Sequence, residues 1–588
     1  MGRAEEQVSG HTGDVPIFGW GFLRGWVYLQ TGLHGKLLSN FHHLDCFYEE
    51  VIRGHSDPRR RPEQQDFVDS PLDAQKNRRE DVFLTENNMK GMLMVYLLYS
   101  SLNHSHPLLL PLLLSYVLLI KWRTWKKSTL RLPPGPWPLP IIGNLHQLGT
   151  SSLHRSLHLL SLKHGPLMLL KLGSFRVCVV SSAKLAEEVM KVHDLTFFNR
   201  PQQASTSALS YGGSDIAFQP YGHSHPATPE LQEGSVREEE VGMLLRSIST
   251  SGGPVNLSEM LLSLSSNIIC RIAFGKKYNP EEEGYGKSRF QDAVETLQAL
   301  LGAFFVGDFF PSLKWVDWLT GLHGKLLSNL HDLDHFYDEV IRDHSGPRGR
   351  PEQHDFVDSL LHAQEDRSED VFLTVNNIKG MLMDIFIGGT ETASATLVWA
   401  MAELMRKPEA MKKLQHELRL ALKTKDMVEE NDLHQLQYLK LVIKETLRQH
   451  PPLPLLVPRV SSQECNVGGY SIPAKTRVIV NAWAIGRDPN SWQNPEEFIP
   501  ERFINSHFDY KGKNFEFIPF GSGRRMCPGL HFAMAVVELV LANLIYCFDW
   551  ELPCGKLLED IDMIEAPGST VHKREALVLL AKHFSPSK

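Results

Sequence analysis

Cysteine is scarce in this chain, and none of it is paired. Seven cysteines are spread over 588 residues, at Cys46, Cys178, Cys270, Cys465, Cys527, Cys547 and Cys554, with no CxxC among them. That spacing excludes a disulfide framework and a zinc site built from paired thiols, and it suits a reducing compartment. A surplus of positive charge is also missing. Lys and Arg number 61 against 68 Asp and Glu, for a formal charge of −7, so nothing points to a nucleic-acid partner. Compositional bias is missing too: 42% of residues are hydrophobic and 22% charged. This is the composition of a globular protein able to bury a large core.

What is present includes one internal duplication. Residues Thr31 to Met94 reappear from Thr320 to Met383 at a constant offset, with about three quarters of the positions identical. TGLHGKLLSN occurs in both copies, and FYEEVIR answers FYDEVIR. A single repeated pair does not build a solenoid. After GMLM the second copy continues DIFIGGTETA, while the first continues VYLLYSS. A helical fragment cut from its packing partners is marginal in water. Residues 1–94 are therefore expected to be a duplicated fragment of 320–383 rather than an independent domain.

One long apolar run follows, from Val95 to Ile120, ending in PLLLPLLLSYVLLI. Its length suits a membrane anchor of about 20 residues. Lys121, Arg123, Lys126 and Lys127 come directly after it, which favours a cytosolic position for that side. Residues 121–140, with LPPGPWPLP, form a basic and proline-rich hinge, stiff because each proline fixes φ and lacks an N–H. Residues 141–588 form the main domain. Its periodicity is mainly α with small β-sheets. LMLLKLGSFRVCVV, Leu167 to Val180, predicts strand, turn and strand. Helical spacing dominates from Val371 to Leu422 and from Leu433 to Arg448, the latter ended by Pro451 and Pro452.

One cysteine stands in an unusual setting, FGSGRRMCPG, Phe520 to Gly529. The helix pattern LHFAMAVVELVLANLIY begins just after it. Unpaired N–H groups and the dipole at a helix N-terminus favour thiolate. Gly523 permits a tight turn and Gly529 a close backbone approach. Arg525 offers a fork for a carboxylate. A buried structural thiol, a nucleophile and a metal ligand are all open readings. A nucleophile wants a nearby histidine, and this loop has none. A thiolate beside a carboxylate-binding arginine suits a haem, with its iron and its propionates.

The set Phe520, Gly523, Arg525, Cys527 and Gly529 resembles the haem-binding signature of the cytochrome P-450 family of haem-thiolate monooxygenases. The resemblance implies heme b with Cys527 as the axial ligand of its iron. Other motifs stand in the family's order. Glu445 and Arg448 in KETLR resemble its E-x-x-R, and Arg502 in PERF completes the implied buried Glu–Arg–Arg cluster. GGTET, with Gly388, Gly389, Glu391 and Thr392, resembles the oxygen-activation motif. There an acid and an alcohol deliver protons. Arg459 is implied to meet a haem propionate, and Leu455, Leu456, Val457, Ser569 and Thr570 to face substrate. The aromatic stretch from Ala303 to Leu319 would by analogy border the substrate entrance, with plain core packing as the equal alternative.

PPGPWPLPIIGNLHQL, FNRP and FGSGRRMCPG resemble the plant microsomal branch. The resemblance implies hydroxylation of a terpenoid, alkaloid or phenylpropanoid with O2, and electrons from NADPH through a membrane-bound cytochrome reductase. It also implies a catalytic domain on the cytosolic side of the endoplasmic reticulum membrane. A haem-thiolate isomerase or dehydratase of the same fold is the alternative, disfavoured by Thr392, and a catalytically defective product is another.

Two departures stand out. Ala393 replaces a second Thr or Ser. After DIAFQPYG the chain reads HSHPATPELQEGSV, where the family has a helix carrying a Trp and a basic cluster. Two prolines and a glycine make a helix there unfavourable. The expectation is weakened haem retention or poor reductase coupling.

Overall fold

The computed structural model describes residues 130–149, 152–220, 234–275, 289–345, 355–365, 373–423 and 425–584. The duplicated fragment, the expected anchor and residues 121–129 of the hinge lie outside the described residues, as does 221–233 within the departing segment. That segment's last residues, from Gly234 on, already belong to a helix.

The longer helices and the strands follow one another as α1 (Leu153–His164), β1 (Leu167–Leu172), β2 (Phe175–Val180), α2 (Gly234–Thr250), β3 (Val255–Asn256), α3 (Leu257–Phe274), α4 (Arg289–Leu301), α5 (Leu322–His344) and α6 (Phe356–Glu365). Then come α7 (Val375–Arg406), α8 (Pro408–Leu422), α9 (Gln437–Gln449), β4 (Arg459–Val460), β5 (Cys465–Val467), β6 (Tyr470–Ile472), β7 (Arg477–Val480), α10 (Leu530–Cys547), β8 (Phe548–Glu551) and β9 (Val578–His583). Helices form the bulk and three small sheets flank them, with strand orders β1-β2-β7-β4, β3-β9-β8 and β5-β6. The strand–turn–strand expectation holds: β1 pairs antiparallel with β2, Leu167 opposite Val180. β7 joins β2 in parallel, with Val177 opposite Arg477.

The central element is α7, 32 residues long. Its start is fixed by a capping box. Asn377 N donates to Thr374 Oγ1 at 3.2 Å, and Thr374 N donates to Asn377 Oδ1 at 3.0 Å, satisfying two otherwise orphaned amides. Its end is fixed by Pro408, which disfavours helical geometry at Lys407. The single helical stretch expected from Val371 to Leu422 is thus two helices, α7 and α8. α9 starts at Gln437, later than the periodicity suggests, because Glu430–Gln435 is a separate 3-10 turn.

The main core gathers α2, α3, α7, α8, α9 and α10 around residues such as Leu261, Leu397, Leu414, Leu439 and Leu541, each fully buried. α3 and α10 have the length and hydropathy of membrane spans, but 61% and 72% of those windows are buried in the protein. They are core helices.

Candidate active site

The helix α7 is buried along most of its length, yet Gly388 at its middle is exposed. A Cβ built on Gly388 meets nothing within 4 Å, whereas one on Gly389 would lie 2.6 Å from Ile269 Cδ1 of α3. The two glycines therefore do different things. Gly389 lets α3 approach, and Gly388 keeps a stretch of helix surface bare. Thr392 borders the same stretch, its Oγ1 donating to Gly388 O at 2.6 Å. That bond ties the hydroxyl back to the helix. Glu391, the next residue round, is mostly buried and lies 3.6 Å from His572 Nε2.

The cysteine loop abuts this helix through α10. Phe532, in the first turn of α10, comes 3.9 Å from the same built Cβ at Gly389. The loop's backbone is set by glycine. Gly523 has φ +73°, and a Cβ there would lie 2.3 Å from Met190 O, so no other residue fits. Met526 N donates to Gly523 O at 3.1 Å and Cys527 N to Phe520 O at 2.9 Å, which closes the turn. Phe520 packs edge-on against Tyr510. Gly529 is the N-cap of α10, and its built Cβ would stand 3.9 Å from Cys527 Sγ.

Cys527 has open surface, although protein atoms crowd round the sulfur. Burial pushes its thiol pKa up, against the pull of the Gly529 N–H. The sequence had suggested the opposite direction from the helix end alone. Removing water from a thiolate outweighs one backbone donor, so this thiol needs a cation opposite it to ionise.

Three arginines converge beside the loop. Arg459 donates to Ser522 O at 3.2 Å and pairs with Asp194 Oδ1 at 3.4 Å. Arg525 lies over the Phe198 ring, 4.1 Å from its centroid. It donates to the carbonyls of Phe198, Ile216 and Gln219. Arg200 donates to Val457 O at 2.8 Å and Ala217 O at 3.0 Å. Burial lowers the pKa of all three, and the charge of Arg525 depresses both Arg200 and Arg459 further. An anionic group beside them would relieve this repulsion.

Carboxylates hold the backbone around that cluster. Asp384 of α7 accepts Ile216 N at 2.7 Å and Ala217 N at 3.0 Å. Asp194 and Asp384 were not foreseen from the sequence, and neither was the contact that Arg200 of FNRP makes with the loop's surroundings. Each acts on chain far from it in sequence, so no local spacing marks them.

The Glu445–Arg448–Arg502 set is brought together. Arg448 Nε and Nη2 each lie 2.8 Å from a Glu445 oxygen, and Arg502 Nε lies 2.9 Å from Glu445 Oε1. The remaining donors of Arg448 go to the carbonyls of Gly486, Pro495 and Glu497. Glu445 and Arg448 are 0% and 1% exposed. The cluster therefore pins residues 486–502 to α9.

Leu455, Leu456 and Val457 are half-buried between α9 and β4. Leu456 has φ +50°, a left-handed conformation uncommon for leucine and often found at functional positions. Ser569 is exposed and Thr570 buried. A Cβ on Gly302, at the end of α4, would come 3.8 Å from Ser569 N. Val571 N donates to Pro452 O at 2.9 Å and Val571 O accepts Trp399 Nε1 at 3.0 Å. These bonds tie the 569–572 segment to both the Pro452 loop and α7.

The bare helix face, the open thiol and the crowded arginines fit a flat group carrying a central metal and peripheral carboxylates. Comparison with known proteins agrees. The sequence model of the family Cytochrome P450 matches residues 133–580. The chain is 52% identical over 465 residues to cytochrome P450 71A1 of Persea americana, covering 75% of this chain and 92% of that protein. It is 46% identical over 478 residues to strychnine-11-hydroxylase of Strychnos nux-vomica, covering 79% and 94%. It is 44% identical over 482 residues to phenylacetaldehyde oxime monooxygenase of Prunus mume, covering 78% and 91%. Among solved structures, a zebra fish cytochrome P450 bound to abiraterone superposes with TM-score 0.61 at 26% identity, covering 74% of this chain and 100% of that one.

Proposed function

The chain belongs to the cytochrome P450 family, and from that premise we propose which of its residues do the work and on what. It is a monooxygenase whose cofactor is a haem with thiolate-bound iron. Cys527 supplies the thiolate. Arg459 and Arg525 meet the propionates, and Phe520, Gly523 and Gly529 shape the loop. Gly388 would leave the surface of α7 bare for the ring, and Gly389 lets α3 pack against α7. When bound, the haem supplies the iron chemistry that splits O2 and inserts one oxygen atom into substrate. Glu391 holds a proton at its carboxylate and Thr392 orients one at its hydroxyl, so the acid and the alcohol feed the same side of the site. Leu455, Leu456, Val457, Ser569 and Thr570 enclose a small lipophilic substrate and exclude water. Glu445, Arg448 and Arg502 hold the loop's support.

The observation that carries this reading is the exposed Gly388 surface in a buried helix, next to the helix that begins after Cys527. The names of the relatives, a strychnine hydroxylase and an oxime monooxygenase, support a plant secondary metabolite as substrate. Electrons come from NADPH through a membrane-bound reductase. The apolar run at 95–120 supports placement on the endoplasmic reticulum membrane.

The test is the carbon monoxide difference spectrum of the reduced protein. The red-shifted Soret band of thiolate-ligated haem is expected, and Cys527→Ser abolishes it. We propose also that the departing segment 223–235 lowers haem retention. A chain rebuilt there with a helix carrying a Trp and a basic cluster then shows a larger band per mole of protein. A band that survives Cys527→Ser would remove Cys527 from the role given it here.

A further inference from the structure

Among the described residues, the Glu391 carboxylate has one ionisable side-chain partner within 4 Å, and it comes from outside α7. His572 places Nε2 3.6 Å from Glu391 Oε1. The two groups differ in access to water: the Glu391 side chain is 12% exposed and that of His572 36%. The imidazole is therefore the solvent-reaching end of the pair. The backbone that carries it is held in place. Val571 is bonded to Pro452 and to Trp399, two turns along α7 from Glu391, and His572 O accepts Ala566 N at 2.9 Å. The neighbouring cations face elsewhere. Lys573 donates to Asp562 O, and Arg574 pairs with Asp562 at 3.4 Å.

A mostly buried acid that gives up protons must be recharged from bulk water. We propose that His572 recharges it, as a relay residue that acts through Glu391 and does not itself touch substrate or cofactor. The inference rests on the reading of Glu391 as the proton source beside Thr392. In the relay the N–H bond of the imidazolium breaks and an O–H bond forms on Glu391. The neutral imidazole then takes a proton from solvent water, and no electrons move. At 3.6 Å the contact is longer than a hydrogen bond, and one bridging water or a small ring rotation converts it to a hydrogen-bonded path. Histidine suits the task because it both gains and loses a proton near neutral pH.

Two measurements on the haem-loaded protein test this. In the ferrous carbon monoxide complex, the ring nitrogens of 15N-histidine-labelled protein are observed at fixed neutral pH. The His572 signal is identified by its loss in His572→Gln, and it should move in Glu391→Gln. An unmoved signal means the pair does not form and overturns the proposal.

Dithionite-reduced protein is then mixed with aerated buffer made in H2O and in D2O, and the return of the ferric spectrum is followed. Oxygen leaves as hydrogen peroxide after taking one electron from each of two ferrous proteins and two protons from the medium. No reductase or organic substrate is needed. His572→Gln and Glu391→Gln should each slow the return several-fold and raise the solvent isotope effect, with carbon monoxide spectra unchanged. The double variant should be no slower than the slower single. If Glu391→Gln slows the return and His572→Gln does not, the relay is overturned and the acid stands. If neither does, the acid reading falls and the relay with it.

Discussion

Glu445 is a carboxylate with no exposed surface, held between two guanidinium groups and the Ile499 amide at 2.8 Å. Its worth lies in what its loss would strand. Glu445→Ala leaves the charge of Arg448 buried without a counter-ion, at a cost of about 3–5 kcal/mol. We expect a large fall in the denaturant midpoint with little change in slope, and residues 486–502 becoming the first segment to exchange amide hydrogen. Glu565 poses a different test. It accepts from Arg155 at 2.8 Å and faces His154 Nε2 at 3.1 Å, with 3% of its side chain exposed. Burial alone would raise its pKa, but hydrogen bonds and charge from His154 and Arg155 hold it well below the usual carboxylate range. A carboxyl depressed on folding contributes stability above its unfolded pKa, about 4.3. That contribution is lost as pH falls through the folded value. The gap in melting temperature between the wild type and Glu565→Gln should therefore be full near neutrality and shrink below about pH 4. A constant gap would mean the ion pair contributes nothing.

At the scale of elements, the sequence revealed more of what each segment is than of what it touches. The i, i+3 spacing of Glu445 and Arg448 puts them on one helix face, but whether that face is wet or dry depends on residues 486–502 packing over it. Arg525 looked like a carboxylate fork from its type and place. Its three carbonyl partners lie on the segment from Phe198 to Gln219, which nothing near the loop announces. The paired glycines in α7 looked equivalent for the same reason, and the structure separates them. Gly389→Ala forces a methyl to within 2.6 Å of Ile269 Cδ1. It should lower the melting temperature unless Ile269 changes rotamer. Gly388→Ala meets nothing and removes a helix-interior glycine, which favours the haem-free fold by about 1 kcal/mol. It should also intrude on the bare surface proposed for the haem. Gly388→Ala should therefore raise the melting temperature of haem-free protein while lowering haem content. Equal behaviour of the two variants would remove the distinction.

At the scale of the molecule, the duplication decides how much of the chain is needed. The described residues of the second copy, which runs from Thr320 to Met383, are built into the core. Leu326, Leu333, Tyr337 and Val340 of α5 are each fully buried, in one cluster with Leu297 of α4 and with Leu382 and Phe386 of α7. Lys379 of α7 reaches back to Asp334 and Asp338 of α5 at 2.6 and 2.7 Å. A first copy carrying nearly the same apolar pattern would need that same slot, and the slot is filled. Displacing the resident copy would exchange like contacts for like and add the entropy of closing a far longer loop. Residues 1–94 thus have nothing to gain by competing. Deleting them should leave the melting temperature and the carbon monoxide spectrum of the protein unchanged. A fall in either would show that the first copy stabilises the fold in a way its sequence, a near-repeat of an occupied position, does not explain.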